Sequence, residues 1–89
     1  MLKTKLQKIT KALGDPTRFE IFERIAARDE LACLYLKGKL PITPATLSHH
    51  LKELASAGLI KSRQEGKCVH LSANRKLWRA YVDSLKKIS

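Results

Sequence analysis

Cysteine is scarce in this chain. Its two residues, Cys33 and Cys68, are too few for a disulfide scaffold, while a 44% hydrophobic content supports an ordinary packed core without one. A reducing, cytoplasmic setting is therefore expected. No uninterrupted apolar run approaches the length of a membrane helix. The basic start Met1-Leu2-Lys3-Thr4-Lys5 continues into Gln7, Lys8, Thr10 and Lys11 rather than the apolar stretch of a signal peptide, so neither export nor membrane embedding is expected. Glycine-rich phosphate loops, paired catalytic carboxylates, internal repeats and low-complexity tracts are also missing. The three prolines sit singly at turns and mark no linker, so one domain over residues 1–89 is expected.

Acidic residues are few as well: 8 Asp and Glu face 18 Lys and Arg, a formal net charge of +10. A surplus of that size on so small a body favours polyanionic partners. Its distribution is uneven. Residues 1–11 hold four Lys and no acid, and residues 12–36 hold three Arg against Asp15, Glu20, Glu23, Asp29 and Glu30. Residues 37–67 return to excess, with six basic residues against Glu53 and Glu65.

Hydrophobic spacing predicts four helices, two strands and a final helix. Leu2, Leu6, Ile9 and Leu13 recur at helical intervals before Gly14. Asp15-Pro16 then opens a second helix, as cap and first residue, carrying Phe19, Ile21, Phe22 and Ile25. A third helix is expected from Asp29 or Glu30, with Leu31, Leu34 and Leu36 as its apolar content and Gly38 as its stop. Thr43-Pro44 starts the fourth, which Gly58 ends. Ile60–Gln64 and Cys68–Ser72 read as a β-hairpin around Glu65-Gly66-Lys67, and Asn74 caps a last helix with the broad apolar stripe Leu77, Trp78, Tyr81, Val82, Leu85 and Ile88. The expected fold class is mainly α with a small β-hairpin, a winged helix-turn-helix in the order α-α-α-α-β-β-α.

The fourth helix is the most informative stretch. Leu47, Leu51 and Leu54 form one stripe, while Ala45, Ser48, His49, Lys52 and Ser56 gather on the other side. Small and hydrogen-bonding side chains on the outer face let a helix end approach base edges in the major groove. Thr43, Pro44, Ala45, Thr46, Ser48 and His49 are thus the expected groove-facing set, with Lys52 for phosphate. Arg63, Gln64 and Lys67 are expected at the wing tip, on DNA backbone or an adjacent minor groove. Leu2, Leu6, Ile9 and Leu13 at one end, with Leu77, Trp78, Tyr81, Leu85 and Ile88 at the other, exceed what one face of a small core covers. They are the candidate interface of a homodimer.

Ala12–Phe22 (Ala-Leu-Gly-Asp-Pro-Thr-Arg-Phe-Glu-Ile-Phe), Thr46–Leu54 (Thr-Leu-Ser-His-His-Leu-Lys-Glu-Leu), Ala57-Gly58-Leu59-Ile60 and Arg63-Gln64-Glu65-Gly66-Lys67 together resemble the ArsR family of dimeric bacterial winged-helix repressors. The resemblance runs from about residue 9 to 73. It implies that the helix holding Ser48 and His49 enters the major groove, that the wing touches DNA, and that the terminal helices pair across a two-fold axis. Many members sense metals. Laid on the family's Glu-Leu-Cys-X-Cys pattern, Glu30-Leu31-Ala32-Cys33-Leu34 puts Ala32 and Leu34 at the two thiolate positions. A second type of site, on the last helix, needs His with Asp or Glu, yet after Ser72 the chain offers only Asp83. No metal site and no cofactor are therefore expected.

Cys33 and Cys68 are the only candidates for a redox pair, but nothing in the sequence brings them within bridging distance, and both read as small apolar fillers. His49 reads as outward-facing, His50 as a hydrogen-bonded residue at the core edge and His70 as a strand surface residue, on faces that would not converge on a metal. Ser48 and His49 are helix neighbours about 100° apart and form no nucleophile-base pair, so no enzyme is expected. The expected function is sequence-specific binding of double-stranded DNA by a dimeric repressor with a palindromic operator. The alternative is a winged-helix module whose basic surface serves protein or RNA contacts.

Overall fold

The computed structural model describes residues 1–88. Helix α1 spans Lys3–Ala12, and α2 spans Pro16–Ala26. A two-residue strand β1, Leu31–Ala32, runs directly into a single helical turn α3, Cys33–Leu36. Helix α4 follows at Pro44–Ser56, then the hairpin strands β2, Ile60–Glu65, and β3, Cys68–Ala73, and last α5, Arg75–Lys86. The sheet is antiparallel in the order β1-β3-β2.

Local chemistry explains the helix starts. Asp15 accepts a hydrogen bond from the Arg18 amide at 2.8 Å, Thr43 from Thr46 at 3.2 Å and Asn74 from Leu77 at 3.2 Å, each satisfying an amide that the first helical turn leaves open. Pro16 and Pro44 sit at first helical positions, where a missing N–H costs nothing. The end of α4 is equally defined. Gly58 takes φ +81°, and the amides of Gly58 and Leu59 close on the carbonyls of Ala55 and Leu54 at 2.9 and 3.0 Å. This pair of bonds is a Schellman motif, and its apolar partners Leu54 and Leu59 are both fully buried. A Cβ at Gly58 would meet Leu77 Cδ1 on α5 and Lys5 Nζ on α1 at 3.0 Å, the ends of side chains that can move, so it is the positive φ that calls for glycine there.

One core joins all the layers. Ile9 and Ala12 of α1, Ile21, Phe22 and Ile25 of α2, Leu47 and Leu54 of α4, Leu71 of β3 and Tyr81 of α5 are buried together with Leu31, Leu36 and Leu40. Phe22 and Trp78 meet at 5.1 Å between ring centroids, Trp78 and Tyr81 at 5.8 Å. Phe19, expected among the apolar content of α2, is instead 41% exposed.

The expected third helix is corrected. It starts at Cys33 rather than Asp29 or Glu30, lasts four residues, and Leu31 belongs to β1, paired with Leu71. Leu34 points to solvent while Leu36 is buried. The open edge of β3 supplies the reason. Backbone groups of Leu31 and Ala32 find partners there in extended form, and a two-residue strand is too short to show alternation in sequence.

Leu54 sits where α4 meets the rest of the core. Leu54→Ala is expected to lower stability by about 2–5 kcal/mol in urea unfolding, whereas Ser56→Ala on the exposed side of the same helix stays within about 0.5 kcal/mol. Equal losses would mean that α4 is not held by its apolar stripe.

Candidate nucleic-acid interface

Helix α4 separates its two faces cleanly. Leu47, His50 and Leu54 are buried and Leu51 is half-buried, while Thr43, Pro44, Ala45, Thr46, Ser48, His49 and Lys52 are all exposed. The Thr43 hydroxyl, besides capping Thr46, lies 3.0 Å from the Thr46 hydroxyl, which orders the first turn of this face. His50 is the core-edge residue that its position beside the leucine stripe suggests. Its Nδ1 lies 3.3 Å from Arg18 Nη1 and its Nε2 lies 3.9 Å from Asp15 Oδ2. Arg18 also donates from Nε to the Ala12 carbonyl at the end of α1. Asp15, bonded by the Arg18 amide, has its carboxyl held below the usual range. The outer face of α4 is thus carried on a helix tied to both α1 and α2.

The wing differs from expectation in one respect. The strands pair Glu65 with Cys68, leaving Gly66-Lys67 as a two-residue turn with positive φ at Gly66 alone, the II′ pattern. Gln64 and Lys67 flank or form this tip, and the Gln64 amide donates to the Gly66 carbonyl at 3.3 Å. Arg63 lies further back, opposite His70. Its guanidinium grips Glu30 with two bonds of 3.2 and 2.7 Å and Glu65 with one of 2.6 Å. His70 Nδ1 is 3.6 Å from the same Glu30. Arg63 is therefore matched by two carboxylates. Sequence reasoning missed this clasp, because residues 30 and 63 become neighbours only through the β1–β3 pairing.

A second unanticipated group lies beside α3. Tyr35 packs under Arg28, 4.7 Å from its ring centre, and Lys39 Nζ, 5.0 Å away. Such stacking holds both cations beside α3.

The terminal helices also sort themselves. Ile9 and Tyr81 are buried within the subunit, and Leu6, Leu13, Leu77 and Trp78 pack partly against the core. Thr10 and Tyr81 hydroxyls join α1 to α5 at 2.8 Å. Leu2, Leu85 and Ile88 remain exposed, at 78%, 40% and 73%. Of the expected interface set, Ile9 and Tyr81 thus also serve the subunit's own core. Among the described residues no cluster of three or more His, Cys, Asp or Glu is placed to hold a metal ion, and no helix is long and apolar enough to cross a membrane.

A helix-turn-helix domain model matches residues 13–63. An uncharacterized HTH-type transcriptional regulator of Methanocaldococcus jannaschii is 39% identical over 70% of this chain and 70% of its own length. A cadmium resistance transcriptional regulatory protein CadC homolog of Staphylococcus aureus is 38% identical over 73% of this chain. An ArsR-like transcriptional regulator from Rhodococcus superposes with a TM-score of 0.84 at 25% identity, over 96% of this chain and 79% of that one. The chain belongs to the ArsR family. It is a DNA-binding transcriptional regulator of the winged helix-turn-helix type, and it spans about half the length, 54%, of the staphylococcal relative.

The clasp of this ArsR-family wing has a pH signature. Arg63 hydrogen bonds hold the Glu30 and Glu65 carboxyls below their ordinary 4.5, and the two carboxylates hold Arg63 above its own ordinary value. Carboxyls with lowered folded values contribute fully above 4.5 and lose their contribution as pH falls through those values. The acid-induced shift of the Arg63 guanidinium NMR resonances is expected to have its midpoint below 4.5. A midpoint at 4.5 or above would show that the clasp is not formed in solution.

Proposed function

We propose that this regulator is a homodimeric repressor that reads a palindromic operator through the outer face of α4. The observation that carries the reading is the exposure of Ala45, Thr46, Ser48 and His49 on a helix whose opposite side is fully engaged by the core. Side chains this small let backbone and hydroxyl groups come close to base edges, and Ser48 and His49 are the base-contacting pair. Lys52, one turn on from Ser48, takes a phosphate. Lys67 and Gln64 approach the backbone from the wing tip. Arg63 joins them only when phosphate replaces Glu30 or Glu65, which makes its contact a competition between two anions.

The exposed Leu2, Leu85 and Ile88 support pairing of the terminal helices between copies, with Met1 (47% exposed) adding to the patch. A two-fold dimer would set its two α4 helices about one helical turn of DNA apart, roughly 34 Å, and so require a palindrome. No metal enters this reading. Relatives are named for cadmium and arsenical resistance, but Ala32 and Leu34 stand where the family resemblance places the thiolate ligands.

In binding titrations, Ser48→Ala and His49→Ala are each expected to cost about 1–3 kcal/mol on the selected operator and to relax preference at one position, while Lys52→Ala weakens all duplexes alike. Equal losses on operator and random DNA for all three would remove base readout by α4, and uniform binding by the unaltered protein would favour a non-specific module. Sedimentation at micromolar protein is expected to give a dimer with or without EDTA. A monomer would end the interface assignment, and association that needs metal would end the metal-free one.

A further inference from the structure

Arg28, Tyr35 and Lys39 come from three segments and meet at one ring. Arg28 lies in the loop between α2 and β1, where its backbone is held: its amide donates to the Ile25 carbonyl at 3.3 Å, and its carbonyl accepts from Arg75 Nη2 at 3.0 Å. Tyr35 sits on the single turn of α3. Gly38, at φ +79°, then turns the chain, and the Lys39 amide closes on the Leu36 carbonyl at 3.2 Å. The Lys39 ammonium thereby comes back over the Tyr35 ring, 5.0 Å from its centroid. The Arg28 guanidinium carbon lies 4.7 Å from the same centroid, and its Nη2 donates to the Tyr35 hydroxyl at 3.4 Å. All three residues are exposed, so the group is open to solvent.

Charge is left over in this arrangement. Unlike Arg63, neither cation forms an ion pair with a described carboxylate, although Asp29 is the next residue after Arg28. The ring attracts both cations and neutralises neither. The hydrogen bonds still open are all donors: the Lys39 ammonium, the remaining guanidinium N–H groups, and the O–H of Tyr35, whose oxygen already accepts from Arg28. A ligand made of anionic acceptors answers all three, and a guanidinium beside an ammonium suits phosphate oxygens. We infer that Arg28, Tyr35 and Lys39 form a phosphate site, separate from the outer face of α4 and from the wing tip, and that its occupant is a backbone phosphate of the DNA bound by α4. The choice of occupant rests on the DNA reading above, whereas the phosphate chemistry stands without it. Placement favours DNA. Lys37 and Gly38, in the turn that carries Lys39, line one small cavity with Thr43 and Pro44, so this turn adjoins the start of the reading helix.

The test titrates the full chain with inorganic tripolyphosphate, followed by NMR, and with a random-sequence duplex at several salt concentrations. Tripolyphosphate is expected to shift the Tyr35 ring and Arg28 Nε–H resonances, and the double variant Arg28→Gln with Lys39→Gln is expected to bind it about tenfold more weakly. Tyr35→Ala, which removes the ring that gathers the cations, should weaken that binding more than Tyr35→Phe, which keeps it. On DNA the double variant should make the log-affinity against log-salt slope shallower by about one to two units. Lys3→Gln with Lys8→Gln, which takes equal charge from α1, should change the slope less. Tripolyphosphate binding by the Arg28 and Lys39 variant equal to that of the unaltered protein would overturn the site. Weakened tripolyphosphate binding with an unchanged DNA slope, or equal loss of slope in the two double variants, would keep the phosphate site and overturn DNA as its occupant in favour of a free phosphorylated ligand. If the unaltered protein binds no duplex, the DNA reading falls, while the tripolyphosphate titration still decides the site.

Discussion

The structure turns on one guanidinium. Arg18 answers three needs at once: its side chain meets the open carbonyl end of α1 at Ala12 and the ring of His50 on α4, and its amide is the one capped by Asp15. A helix end inside a small protein leaves backbone groups unsatisfied, and a buried imidazole needs polar partners. Arg18, within one turn of Asp15 at the start of α2, supplies the first through Nε and lies 3.3 Å from Nδ1 of the ring, while the Asp15 carboxylate stands 3.9 Å from its Nε2. The position of α4 is therefore set by hydrogen-bond satisfaction as well as by packing, and a planar five-donor group suits that task better than a flexible ammonium.

Given that anchoring, α4 divides its labour. Leu47 and Leu54 and the Schellman closure at Leu59 hold the helix, and none of these groups reaches solvent. Thr43 and Pro44 start the helix, and the outer residues that follow, Ala45, Ser48, His49 and Lys52, are exposed and available for contact with another molecule. The wing works differently. Its Arg63 is already satisfied by Glu30 and Glu65, so a large formal charge overstates the cationic surface that the hairpin offers.

What could be read from the residues alone was whatever is local. Asp15, Thr43 and Asn74 each reach an amide three positions on, so their caps are visible in a few residues of text, as are the positive-φ demands at Gly58 and Gly66. His50 was legible because its angle beside the leucine stripe fixes its burial. The pairing of β1 with β3 was not, since two residues carry no period and their partners lie about forty positions away. The Glu30–Arg63 clasp, built on that pairing, was hidden with it. The division of the terminal helices between core and exterior was hidden for a related reason, since Ile9 and Leu2 belong to one stripe in sequence and only the neighbouring helices decide which is covered.

Gly58 carries a consequence of its own. The missing side chain at the exit of α4 leaves a gap that Leu77 of α5 and Lys5 of α1 close from either side. The tail of α4 and both terminal helices therefore converge at residue 58, and a side chain added there would push on the ends of Leu77 and Lys5, so one substitution at this junction would be felt by α1, α4 and α5 together.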